Sequence, residues 1–81
     1  MDEKRWSVYL LRCDDGSLYC GITTDISRRL NEHQNGTAAR YTAARGPVVL
    51  AHTEGPYTHS EALRREYAIK QLSKNQKEDL L

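Results

Sequence analysis

Phenylalanine is absent from this 81-residue chain; cysteine and proline occur twice each, methionine and tryptophan once. Each scarcity narrows the reading. Two cysteines, Cys13 and Cys20, make no disulfide framework and do not stand at metal-ligand spacing with the histidines. Both are expected to be reduced packing residues. No apolar run approaches the ~20 residues of a bilayer span. The opening "MDEKRW" lacks the apolar stretch of a secretory signal, so a cytoplasmic protein with no membrane contact is expected. Repeats, low-complexity tracts and linkers are also missing, which leaves room for one domain and one core. A chain of this length buries only ~60% of its unfolded surface. At 38% hydrophobic, it is nevertheless too apolar for disorder.

The net charge of +1 excludes a protein that is basic all over, but the charges are unevenly placed. Residues 26–50 carry Arg28, Arg29, Arg40 and Arg45 against Glu32 alone. Residues 62–77 carry Arg64, Arg65, Lys70, Lys74 and Lys77 against Glu66 alone. A basic face for phosphates is therefore expected, with Arg40, Arg45, Arg64, Arg65 and Lys70 as its candidates.

Residues 7–13 and 18–22 read as strands joined by a tight turn. "TTDISRRLNEHQNG" reads as a helix capped by Thr24 or Asp25 and stopped by Asn35-Gly36. "TAARYTAAR" reads as a short helical turn and "VVLAHT" as a third strand. "GPYTHS" reads as a loop whose Thr58 or Ser60 caps a helix over about 60–72, and Ser73 opens a last short helix. The β-β-α-β-α order implies a single α+β domain over 1–81. Its small three-stranded sheet, at least partly antiparallel, is flanked by helices, with the core at about 7–72.

The turn "DDG" suits a three-residue hairpin loop with Gly16 in the left-handed conformation. Tyr9 then opposes Gly21, Leu11 opposes Tyr19, and the two tyrosines share a face, with open space expected over Gly21. Either the rings pack under a helix or they line a site. On the first helix Ile26 and Leu30 mark the buried stripe, Arg29 and His33 share its edge, and Arg28 and Glu32 point away. Arg29 and His33 each also have a plain reading, as a packed stem and as a helix-end histidine. On the second long helix Ala62, Leu63, Tyr67 and Ile69 form the expected apolar side, with Glu66 in its middle. Glu66 either pairs with Lys70 one turn on or ligates a cation, and an inward carboxylate favours the cation. Trp6, His52 and His59 have no partners legible in the sequence. Two tyrosines, an arginine, a histidine and a glutamate on one side of a sheet suit metal-assisted hydrolysis of a phosphodiester.

With "SVY" at 7–9, "YCG" at 19–21, Arg29, His33 and Glu66 in "LRREYAIKQL", the chain resembles the GIY-YIG nuclease superfamily over nearly all of residues 7–72. The short stand-alone bacterial branch is the most similar. Ser7 and Cys20 depart from the family tripeptides at non-catalytic positions. The resemblance implies a three-stranded antiparallel sheet flanked by helices and endonuclease cleavage of DNA rather than RNA, dependent on Mg²⁺ or Mn²⁺. Branched or damaged DNA is the expected substrate. It also implies Tyr9 as general base, Tyr19 as second tyrosine, Arg29 on the phosphate and Glu66 as the one metal ligand. His33 matches a histidine found in some members, and Tyr41 joins from "ARYT". Many family nucleases add a DNA-binding domain that has no counterpart here. The competing expectations are a nucleic-acid-binding module without turnover and a protein-docking domain.

Overall fold

The computed structural model describes residues 3–81. Its elements run β1 (Trp6–Cys13), β2 (Leu18–Thr23), α1 (Ile26–Gln34), α2 (Arg40–Ala43), β3 (Val48–Tyr57), α3 (His59–Lys70) and α4 (Lys74–Glu78). The sheet is antiparallel throughout, in the order β2-β1-β3. As the middle strand, β1 is covered on both faces. This explains why "VYLL" reads as an unbroken apolar run rather than an alternation. Val8, Tyr9, Leu10 and Leu11 are all at most 2% exposed.

The two faces bury different partners. Val8, Leu10 and Cys20 pack with Ala62 and Ile69 of α3, flanked by Trp6, Ile22, Tyr57 and Leu80. Tyr9, Leu11, Cys13 and Val48 pack on the other face with Tyr19, Ile26, Leu30 and Leu50. Both cysteines are free and buried.

The hairpin takes the three-residue form. Gly16 has φ +86°, Cys13 and Ser17 face each other across the loop, Leu11 opposes Tyr19, and Tyr9 opposes Gly21. Caps fall where short polar side chains stand before each helix. Asp25 accepts from the Arg28 amide, while Thr58 with Glu61 and Ser73 with Gln76 form reciprocal boxes.

Two expectations fail here. "GPY" is not loop, because β3 continues through Gly55 and Pro56 to Tyr57, which pairs with Trp6 across a register shift. An outer strand tolerates proline because one of its backbone edges needs no partner. On α3 only Ala62 and Ile69 are fully buried, whereas Leu63 and Tyr67 are 45% and 69% exposed. Small Ala62 lets the helix lie close to the sheet, and the larger side chains splay outward.

Candidate active site

Tyr9 and Tyr19 project from neighbouring strands onto the face covered by α1. The absence of a side chain at Gly21 leaves no vacant space, since a Cβ there would run into the Tyr9 phenol. Tyr9 is thereby pressed flat against β2 and directed at α1. Its hydroxyl meets His33 Nε2 at 2.8 Å, and His33 Nδ1 lies 2.7 Å from Thr42 Oγ1. The Thr42 hydroxyl also lies 3.3 Å from the Ala39 carbonyl, to which it can only donate. The hydrogen bonds then run one way: Thr42 donates to Ala39, His33 Nδ1–H donates to Thr42, and Tyr9 donates to Nε2. This pattern assigns the imidazole tautomer and leaves its basic nitrogen on the tyrosine.

Burial holds the His33 pKa below the usual histidine range, the Arg29 charge lowers it further, and Glu32 opposes both. The ring is therefore neutral at neutral pH. Burial likewise raises the Tyr9 phenol, and the nearby Arg29 guanidinium works against the rise. Arg29 itself is one-third exposed and bridges to Glu32 at 3.1 Å. Glu32 points away from the buried stripe as expected, yet reaches Arg29 and partly neutralises it. From Tyr9 a row of rings leads outward. His33 stands edge-on to Tyr9 and to Tyr19 at 5.6 and 5.1 Å, Tyr19 lies 5.8 Å from Tyr41, and the Arg45 guanidinium covers Tyr41 at 3.9 Å.

Glu66 does not join this group. Its helix, α3, packs on the opposite face, so the expected convergence of five residues on one side of the sheet is wrong for this one. The reason is topological: strand alternation sends Tyr19 toward α1 and its neighbour Cys20 toward α3. Glu66 lies close enough to Cys20 to raise its thiol pKa, though burial is the larger cause of a value near 11. The carboxylate is 20% exposed and pairs with Lys70 at 3.2 Å. Because β2 is an outer strand, Glu66 and Tyr19 lie on opposite sides of the same sheet edge.

A family model described as the GIY-YIG catalytic domain matches residues 5–79. The chain belongs to the GIY-YIG family. A UPF0213 protein of Halobacterium salinarum is 56% identical over 90% of this chain and 95% of its own length. One from Enterococcus faecalis is 49% identical over 99% and 93%. The solution structure of a UPF0213 protein from Bacillus halodurans superposes with a TM-score of 0.60 at 47% identity, covering 93% of this chain and 80% of that one. These small stand-alone GIY-YIG proteins share the three-stranded antiparallel sheet and its flanking helices. The family suggests nuclease activity, generally with a divalent metal.

In this GIY-YIG domain the donor set fits one kind of ion. Among the described residues no three His, Cys, Asp or Glu side chains gather as a metal cage. A lone carboxylate whose counter-cation is an exposed lysine suits a hard, largely hydrated ion such as Mg²⁺, and does not suit a four-ligand zinc site.

The expected basic face is divided. Arg65 is locked onto Glu54 by two hydrogen bonds of 2.6 and 2.9 Å, and Lys70 is held by Glu66. Arg45 pairs with Asp15 at 3.0 Å, and of the five candidates only Arg40 and Arg64 are exposed without an ion pair among the described residues. His52 bonds Glu54 at 3.0 Å, and Trp6 stacks on His59 at 4.3 Å, so the three residues without legible partners all have them. Thr42, wholly buried, is the member of the group that the sequence did not reveal. A threonine within "RYTAAR" carries no periodic signal, and only the α1–α2 packing brings it to His33.

Proposed function

We propose that this protein is a divalent-metal-dependent endonuclease that hydrolyses DNA phosphodiester bonds. The observation that carries the reading is the buried contact of Tyr9 with the neutral imidazole of His33, beside a partly exposed arginine. His33 Nε2 takes the proton of the Tyr9 hydroxyl as that oxygen in turn takes one from the attacking water. The Thr42 oxygen holds the ring in orientation throughout. Arg29, once a phosphate displaces Glu32 from it, offsets the charge that builds on the phosphoryl oxygens. Glu66 is the residue that would hold the ion. A bound Mg²⁺ or Mn²⁺ supplies Lewis acidity to the phosphate and charge stabilisation to the leaving oxygen. Tyr41 and Arg45 lie on the approach to the tyrosine face and contact the DNA strand, and exposed Arg40 at the start of α2 adds charge to it.

Two observations favour the second reading, a binding module without turnover: Tyr9 is only 2% exposed, and Glu66 is paired on the far face. A cleavage screen over single-stranded, duplex, nicked and branched DNA with Mg²⁺ and Mn²⁺ separates the two. The nuclease reading expects metal-dependent cleavage that is lost in both Tyr9→Phe and Glu66→Gln while the fold persists. Salt-sensitive binding with no cleavage of any substrate supports the module.

A further inference from the structure

The positive charge expected on α3 is largely tied up there, yet a second cationic recess lies elsewhere. Ser17 of the hairpin loop, Leu18 at the start of β2, Tyr41 of α2, and Lys74 and Lys77 of α4 line a recess of about 170 Å³. Two acids that touch its lining, Asp15 and Glu78, are already engaged. Asp15 accepts from Ser17 and pairs with Arg45, and Glu78 takes two hydrogen bonds from Arg12. Lys74 donates to the Gly16 carbonyl at 3.0 Å and stays 3.9 Å from Glu78. Lys77, half-buried, forms no ion pair among the described residues.

A helix of five residues has little stability of its own. Here it is held down by the Ser73–Gln76 capping box, the Arg12–Glu78 pair and the Lys74–Gly16 contact, and each of these fixes the two lysines against the hairpin. Tyr41 belongs both to this recess and to the ring row that begins at Tyr9. The recess is smaller than the ~300 Å³ at which small-molecule sites begin, so a nucleotide does not fit inside it. A phosphate group whose chain continues outside does fit, with lysine as a point charge and the Tyr41 hydroxyl as a donor.

We propose that this recess seats a backbone phosphate of the bound nucleic-acid strand away from the scissile one, with Lys77 as its principal cation. The inference rests on the nuclease reading for the identity of the strand. It goes beyond that reading in placing strand contacts on α4 and the hairpin tip in addition to those at α2.

The test uses the full chain with a labelled DNA oligonucleotide in EDTA, so that turnover plays no part. Each phosphate contact contributes about 0.7–0.9 to the slope of log K against log salt. Lys77→Gln should lower that slope by this amount, shrinking the change in affinity between 50 and 200 mM salt about threefold. Lys77→Arg should restore the slope, and Lys4→Gln, on the exposed N-terminal segment, should leave it unchanged. Amide shifts on adding the oligonucleotide should include Ser17, Leu18, Tyr41 and Lys77.

An unchanged slope in Lys77→Gln overturns the assignment, even if metal-dependent cleavage is intact and the nuclease reading survives. A lowered slope in a chain that cleaves nothing keeps the phosphate seat and removes the nuclease. Inorganic phosphate moving the same amides while DNA leaves them still would make this a free-anion site and refute the strand assignment.

Discussion

Replacing Thr42 by Val keeps the shape of a wholly buried side chain and deletes the one oxygen that His33 Nδ1–H reaches. A buried donor left unpaired costs ~1–3 kcal/mol. For a domain of this size that lowers the unfolding midpoint by roughly 4–20 °C. The ring has one escape, which is to move its proton to Nε2. Tyr9 must then accept where it had donated, and the basic nitrogen turns toward the empty side of the pocket. Stability is partly recovered, but the tyrosine loses its proton acceptor, and any cleavage should fall by about 10²–10⁴-fold. Long-range ¹H–¹⁵N spectra of the imidazole read this directly. The wild type should show Nδ1–H, Thr42→Val should show Nε2–H or a mixture, and Thr42→Ser should restore the first pattern. An Nε2–H ring in the wild type, or identical ring spectra in Thr42→Val, would refute the one-way hydrogen-bond chain.

Glu54 has its carboxyl pKa lowered to about 2, chiefly by the Arg65 guanidinium and then by His52 and Tyr57 against the cost of burial. The unfolded chain therefore takes up this proton at a higher pH than the folded one. The stabilisation is complete above pH ~4.5, is worth roughly 3 kcal/mol there, and is lost as pH falls toward 2. Urea melts across that window should show the loss, and Glu54→Gln should flatten it. His33, with its folded pKa lowered by burial, adds an earlier decline that begins below pH ~6.5 because only the unfolded state then takes up its proton. A pH–stability curve flat from 7 to 5 would contradict this. Gly21→Ala drives a methyl into the Tyr9 phenol and should cost ~1–3 kcal/mol. In a Tyr9→Leu background, where the colliding atoms are gone, the same change should cost little, and equal costs in both backgrounds would show that the ring does not lie over Gly21.

The hairpin was legible because its turn is local: Asp-Asp-Gly permits few loops, and loop length fixes which residues share a face. Helix starts were legible for a similar reason, since a cap is a short-range exchange between one side chain and an amide three residues on. What the sequence did not disclose depends on tertiary placement. The face against which α3 packs is set by the connection from β3, not by the spacing of Ala62, Glu66 and Ile69, and so Glu66 was assigned to the wrong side. Arg65 read as free positive charge because its acid, on β3, is identified only by three-dimensional contact, whereas the Glu66–Lys70 pair was one of the two readings the spacing offered. Thr42 was missed because its role is the acceptance of one hydrogen bond from a residue on another helix.

Besides its own internal hydrogen bonds, the tip of the β1–β2 hairpin is fastened from downstream. The Asp14 amide donates to the Arg45 carbonyl, Asp15 takes the Arg45 side chain, Gly16 receives Lys74, and Arg12 holds Glu78 across 66 positions of sequence. During synthesis the middle strand emerges first, while its second neighbour is complete only at Tyr57 and its last fastener near the C-terminus. Contacts this distant along the chain are reached slowly, because the intervening loop must close before any of them forms. A nascent chain therefore carries the tyrosine hairpin long before it can hold it, and the site should mature in one late step rather than assemble with the growing chain.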